Sequence, residues 1–257
     1  PENMKGISEC IHRCFKMCNQ PKEGVHIDII SDIPEGRGLG SSAASAMAVI
    51  KGIFKFFHQP LSEENLFSLV ELSETYAHGK PSGIDMMAVA SQGPILYQKQ
   101  EKKVMPLIPP CAFPVIVADT GQVGDTKKAV EHVNALKIQK PSYFYQTIEQ
   151  MEEIVIKVKE AVLEGNLTQL GSLLIINHEK LKKLNVSNSV LDYLVEVALK
   201  AGALGAKLTG GGMGGCIIAL AKDMKDAENI GAELQNKGAK TVWYFKTGSS
   251  QVYQIKC

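Results

Sequence analysis

Two glycine-rich runs and two carboxylates hold the residues of this sequence that could do chemistry. The first run is Pro34-Glu35-Gly36-Arg37-Gly38-Leu39-Gly40-Ser41-Ser42-Ala43-Ala44. Glycine lets a backbone take positive φ and approach a ligand without a Cβ clash. An alanine-rich apolar segment follows from Ser41 to Phe57 and reads as a buried helix. Its N-terminus would aim unpaired N–H groups and a positive dipole end at the loop, which makes an anion site with phosphate as the usual anion. The hydroxyls of Ser41 and Ser42 could cap the helix or reach a phosphate or Mg2+; a plain turn with a serine N-cap is the competing reading. The run matches Gly-x-Gly-x-x-Ala, but a dinucleotide fingerprint needs an acid ending a strand about 20 residues on. Those positions hold Glu63 and Glu64, just after the helix cap Ser62. No Gly-x-x-x-x-Gly-Lys-Ser/Thr occurs, which excludes a Walker-type loop.

The first carboxylate is Glu74, in the last turn of a helix that Gly79 stops. There it faces the negative end of the helix dipole, at a cost of ~0.3–1 kcal/mol unless a cation compensates. Lys80 or a bound metal would serve, and a solvated glutamate is the plain reading. The second is Asp85, within His78-Gly79-Lys80-Pro81-Ser82-Gly83-Ile84-Asp85. Ser82 and Asp85 have capping-box spacing, so Asp85 is either a helix-start acid or a general base fixed near a phosphate loop. The second run, Lys207-Leu208-Thr209-Gly210-Gly211-Gly212-Met213-Gly214-Gly215-Cys216, enters a strand. It is either a close-packed connection or a wall for phosphates or substrate. Two glycine loops and two acids fit phosphoryl transfer, where catalysis is positioning plus electrostatics.

The elements that must position these residues follow from periodicity. Residues 2–18 are helical, with Cys10, Cys14 and Cys18 on one side among Ile7, Ile11 and Met17. That spacing is a soft apolar stripe, poor for a disulfide and without metal-site pattern. Val25–Ile29 alternates like a half-buried strand, and Ser62 caps a helix through Ala77. Pro106, Pro109, Pro110 and Pro114 mark the domain boundary, giving domains 1–109 and 110–257. Beyond it come a strand at Val115–Ala118 and helices at about 126–138, 143–164, 167–184 and 188–201. Strand Cys216–Leu220, helix Asp223–Lys237 and strand Thr241–Phe245 close the pattern. Partly segregated strands and helices mean α+β.

Composition narrows the function classes. The 257 residues are 45% hydrophobic and 21% charged, as in an ordinary globular protein long enough to need no disulfide or metal staple. Lys plus Arg number 28 against 27 Asp plus Glu, with no basic run, which argues against a phosphate-dominated nucleic-acid binder. No uncharged stretch approaches the ~20 apolar residues of a membrane span, no signal peptide opens the chain, and reduced cysteines fit a cytoplasmic address.

Pro34–Ala44 resembles the phosphate-binding motif of the GHMP kinases, and Lys207–Cys216 their C-terminal glycine motif. Glu74 with His78–Asp85 resembles the mevalonate kinase branch, as do Val117–Gly121 with Thr126-Lys127, and Val186-Ser187, in the bacterial form. The resemblance runs from about Gly24 to Phe245. It implies a ribosomal S5 domain 2-like N-terminal domain, a ferredoxin-like C-terminal domain and a site between them. It also implies MgATP-dependent phosphorylation of the primary hydroxyl of mevalonate, an early step of isoprenoid synthesis. Asp85 would be the general base. The nucleotide would lie on Pro34, Gly36, Arg37, Gly38, Leu39, Gly40, Ser41, Ser42 and Ala43, with Gly210, Gly211 and Gly212 closing the phosphate site. Ser42 and Glu74 would hold Mg2+, and His78, Ser82, Gly83 and Thr120 would line the substrate site. Such kinases are often homodimers.

The start departs from the family, whose N-terminal strand carries a Pro-Gly-Lys-type motif with a lysine near the catalytic aspartate. Nothing before Gly24 resembles it, so several dozen residues are expected upstream of Pro1. Lacking that cation, the chain alone should be impaired. The tail after Phe245 fits the family poorly. Competing functions are another GHMP kinase, such as a phosphomevalonate kinase, and a non-catalytic ligand sensor. A phosphorylated substrate should demand an extra basic pocket, and a sensor would need neither Glu74 nor Asp85.

Overall fold

The computed structural model describes residues 2–78, 81–91, 93–247 and 252–253. The chain divides into two units. One contains Pro1–Glu35, Gly40–Ser91 and Tyr97–Val104; the other contains Gly36–Leu39, Gln92–Leu96 and Met105–Cys257.

The first unit is helical: α1 (Glu2–Met17), α2 (Ser41–Phe56), α3 (Glu63–His78) and α4 (Ile84–Ala90). Cys10, Cys14 and Cys18 lie in its core with Phe15, Met47, Ile50 and Val70, so the four-residue spacing is a packing stripe. The Cys10 thiol donates to the Leu69 carbonyl at 3.3 Å, tying α1 to α3. Ser62 Oγ accepts from Asn65 N–H at 3.2 Å and starts α3.

The strand expected at Val25–Ile29 does not form. Its alternation is nevertheless expressed, because Val25 and Ile27 pack on the helical core while His26 and Asp28 face solvent. Periodicity sets the faces of a segment, but a strand also needs a ladder partner, and none pairs with it among the described residues.

The second unit carries the sheet. A two-stranded hairpin, β1 (Ile95–Gln98) and β2 (Lys103–Pro106), of which Tyr97–Val104 belong to the first unit, precedes β3 (Pro114–Asp119). Then come α5 (Thr126–Gln139), α6 (Pro141–Glu164), α7 (Leu167–Lys183) and α8 (Ser189–Lys200), followed by β4 (Gly205–Leu208) and β5 (Cys216–Leu220). The unit ends with α9 (Met224–Asn236), β6 (Thr241–Lys246) and β7 (Val252–Tyr253). The larger sheet is antiparallel throughout, in the order β4-β5-β3-β6-β7.

Alternation buries both faces of this sheet. Ile116, Leu208, Ile217 and Val242 join Leu191 and Leu194 of α8 and Ile230 and Leu234 of α9 in one core. Val115 and Leu220, paired across β3 and β5, point the other way onto Ile154, Ala161, Leu170 and Leu173 of α6 and α7. α7 meets β4 backbone to backbone, where a Cβ on either Gly171 or Gly205 would strike the other segment.

Candidate active site

In the first unit, α2 starts at an uncapped end. Its N-cap is Gly40, left-handed at φ 69°, and no side chain caps it. The serine-cap alternative for Ser41 and Ser42 is therefore replaced by a glycine cap, and the first-turn N–H groups have no intrahelical acceptor. A Cβ on Gly40 would lie 3.7 Å from Asp85 Cβ and 3.2 Å from Val89 Cγ2. The start of α4 is thus packed against the start of α2, with the Asp85 carboxylate in an exposed first turn.

The capping-box reading of Ser82 and Asp85 is corrected in the same place. The N-cap of α4 is Gly83, at φ 84°, and Ser82 Oγ accepts from Ile84 N–H at 3.3 Å. A left-handed residue between them shifts the serine one position back. Tyr97 Oη donates to the Ser82 carbonyl at 3.3 Å and lies 2.9 Å from where a Cβ on Gly83 would be, so Ser82 and Gly83 are held against Tyr97.

Glu74 projects from α3 into the interior at 5% exposure, and its Oε1 has no hydrogen-bond partner. A buried carboxylate oxygen without a donor is costly unless a cation meets it. Mg2+ usually takes one or two carboxylates and completes its shell with waters and phosphates. Glu74 and the Ser42 hydroxyl on α2 fit such a sparse donor set. Among the described residues no group of three or more His, Cys, Asp or Glu gathers as a closed metal cage. The side chain of His78, with Gly79 and Lys80, lies outside the described residues.

In the second unit, the two glycine loops lie against each other. A Cβ on Gly38 would sit 2.8 Å from Gly210 Cα, and one on Gly210 would sit 2.5 Å from Gly38 Cα. Gly124 N–H donates to the Gly36 carbonyl at 2.8 Å, and Gly215 packs against the Arg37 carbonyl. The Arg37 guanidinium turns inward to Asp119 and the Gly121 carbonyl. Arg37 itself is buried, while Gly36, Gly38, Gly210 and Gly211 of the two loops are exposed and Leu39 is half-buried.

Thr120 is engaged internally. Its Oγ1 donates to the Gly215 carbonyl at 2.6 Å and accepts from Gln122 N–H at 3.2 Å. The end of β3 is thereby laced to the second glycine loop. Asp119 lies within the Val117–Gly121 motif but has no role assigned from sequence, because a strand-end acid gives no sign that it will meet an arginine 82 positions earlier. Burial, with the Asp119 charge beside it, pushes the Cys216 thiol up to about 12, so it is inert packing. Burial also pushes the Lys207 amine down to about 8, and its Nζ donates to the Leu208 carbonyl at 2.6 Å.

Comparison with known proteins gives this arrangement its relatives. Residues 5–93 match the GHMP kinases N terminal domain, and residues 158–240 the GHMP kinases C terminal domain. The chain is 36% identical over 225 residues to a mevalonate kinase of Pyrococcus furiosus, covering 86% of this chain and 66% of that one. It is 37% identical over 227 residues to a mevalonate kinase of Thermococcus sibiricus, covering 86% and 67%. It spans 60–67% of the length of the curated relatives it matches. The L. major mevalonate kinase crystallised with R-mevalonate superposes with a TM-score of 0.82 at 28% identity, over 95% of this chain and 77% of that one. With uncapped helix start, paired glycine loops and both domain matches in one chain, this protein belongs to the GHMP kinase family.

Proposed function

We propose that the chain catalyses transfer of the γ-phosphoryl group of MgATP to the primary hydroxyl of mevalonate, giving 5-phosphomevalonate for isoprenoid synthesis. The relatives it matches are named mevalonate kinases, and one was crystallised with R-mevalonate. The observation that supports the reading is the packing of the Asp85 Cβ against Gly40, at the uncapped start of α2.

Each residue then has a task that its position allows. The backbone from Gly36 to Ala43, with Gly210–Gly212, cradles the triphosphate, since glycine presents N–H groups without side-chain obstruction. Asp85, exposed at the start of α4, accepts the proton of the hydroxyl as that oxygen attacks phosphorus. Ser82 and Gly83, held by Tyr97, line the acceptor side, His78 is assigned there by the family resemblance alone, and Thr120 steadies the glycine loop. Ser42 and Glu74 would hold Mg2+, which when bound would neutralise phosphate charge. The protein contributes position and field rather than covalent chemistry.

The test is ADP release from MgATP with mevalonate, phosphomevalonate or galactose. Release with mevalonate alone is expected. Asp85→Ala should lower the rate by about 10²–10⁴-fold, the usual share of a general base, with MgADP affinity kept. Release with phosphomevalonate and not mevalonate would overturn the substrate, and an active Asp85→Ala would overturn the base.

A further inference from the structure

The second glycine loop is supported from two sides by a network that the reaction itself does not use. On one side stands the turn between α7 and α8. Met213 N–H donates to the Val186 carbonyl at 2.8 Å, and Gly212 packs so closely on that carbonyl that a Cβ would collide with it. On the other side stands the last residue of β4, an edge strand. Leu208 is paired with Ile217, and the next residue, Thr209, donates its N–H to the Cys216 carbonyl. Alternation along the ladder therefore turns the Leu208 N–H away from β5, to the open edge. His178 of α7, 3% exposed, accepts it on Nδ1 at 3.4 Å.

Both supports converge on one carboxylate. An accepting Nδ1 puts the proton of a neutral imidazole on Nε2. Nε2 stands 3.2 Å from Asp192 Oδ1, in electrostatic contact but off the line of a hydrogen bond. The same Oδ1 accepts from Ser187 Oγ at 2.6 Å, and Ser187 directly follows Val186. Asp192 thus steadies the turn that grips Met213 and stands in electrostatic contact with the ring that grips Leu208.

We propose that Asp192 and His178 are positioning residues, which hold the Thr209–Gly215 loop in its nucleotide-ready shape and through it set nucleotide affinity. The proposal rests on the kinase reading for its nucleotide and on the loop geometry alone for its mechanics. Charge around the ring comes from Asp192 on α8, Glu179 and Lys182 on α7, and Lys207 on β4. A second proton on the imidazole would replace the Nδ1 lone pair by a donor facing the Leu208 N–H, and release that grip.

The experiment compares wild type with His178→Leu, Asp192→Ala and the conservative His178→Asn, which keeps an acceptor at the Nδ1 position. Hydrogen exchange of the Leu208–Gly215 amides reads the loop, MgADP titration from pH 5.5 to 8 reads the site, and thermal melting confirms folding. His178→Leu and Asp192→Ala should each lose about tenfold in loop protection and in MgADP affinity, the scale of one buried hydrogen bond. His178→Asn should retain both, and should lack the fall in affinity expected of wild type at low pH. Unchanged loop protection in folded His178→Leu and Asp192→Ala overturns the positioning role. Raised exchange with unchanged MgADP affinity overturns the link to nucleotide. A wild type that binds no MgADP overturns the kinase reading instead, and loop exchange then decides the positioning role by itself. Should His178→Leu not fold, Asp192→Ala and His178→Asn carry the same comparison.

Discussion

Arg37 Nε lies 3.3 Å from Asp119 Oδ1, and both side chains are buried. Arg37 Nη2 also donates to the Gly121 carbonyl at 3.0 Å, while Asp119 Oδ1 accepts from Gly121 N–H at 2.8 Å. An arginine inside a phosphate-type loop would ordinarily be assigned to the ligand. Here it anchors its loop to the end of β3, which leaves the glycines around it to face outward.

Removing one partner of a buried ion pair costs more than the pair contributes, because the other charge stays behind uncompensated. Asp119→Ala should therefore destabilise the protein by about 3–5 kcal/mol. Arg37→Met combined with Asp119→Leu should recover most of that loss. Urea unfolding midpoints check both, and an Asp119→Ala as stable as wild type would show the pair to be solvated.

Gly38 and Gly210 touch at their Cα atoms, and both have φ near 72°. Alanine at either position meets a neighbouring backbone that has no flexible end to yield, and takes a left-handed conformation as well. Gly38→Ala and Gly210→Ala should each cost about 1–3 kcal/mol and weaken MgADP binding at least tenfold. Calorimetric titration with a melting curve separates the two effects. Intact binding in both variants would mean that the loops part readily.

Most helices and β3, β5 and β6 were legible in the sequence, because each has a long apolar period and a clear stop signal. Asp223 and Asn188 cap α9 and α8 as such residues should. The β1–β2 hairpin and three further features were not legible. Gly205–Leu208 is a four-residue edge strand that merges with the glycine run after it, so it shows neither length nor alternation. Val25–Ile29 has alternation without a ladder, and period alone cannot report a partner. At the site, the glycine loops and both acids stood out by residue type, whereas Arg37–Asp119 and His178–Asp192 depend on tertiary pairing that no local spacing encodes.

Glu74 should trade stability against metal use. Its buried Oε1 has no donor, and an unpartnered buried polar oxygen is a burden on the metal-free fold. Glu74→Gln should raise metal-free stability by about 1 kcal/mol and raise the Mg2+ concentration needed for half-maximal turnover several-fold. Melting curves in chelator, set beside a Mg2+ titration of ADP release, read both. A variant less stable than wild type, with unchanged Mg2+ dependence, would assign Glu74 to packing alone.

His178 should leave a mark on stability against pH whatever the chain binds. Burial pushes its pKa below the usual value of ~6.5, against the upward pull of Asp192 and Glu179. The unfolded chain takes up its proton near ~6.5, and the fold does so only at lower pH. Between those two points the unfolded state holds more protons, so stability falls as pH falls, by at most ~1.4 kcal/mol per pH unit. The contribution is complete above ~pH 6.5 and is lost as pH drops through the folded value. Unfolding free energies of wild type and His178→Asn at pH 8 and pH 5 isolate it, since the other five histidines are common to both. A difference that shrinks on acidification is expected. A difference that grows would mean that the ring is charged in the fold with Asp192 as its counter-ion, and the Leu208 N–H would then need another acceptor.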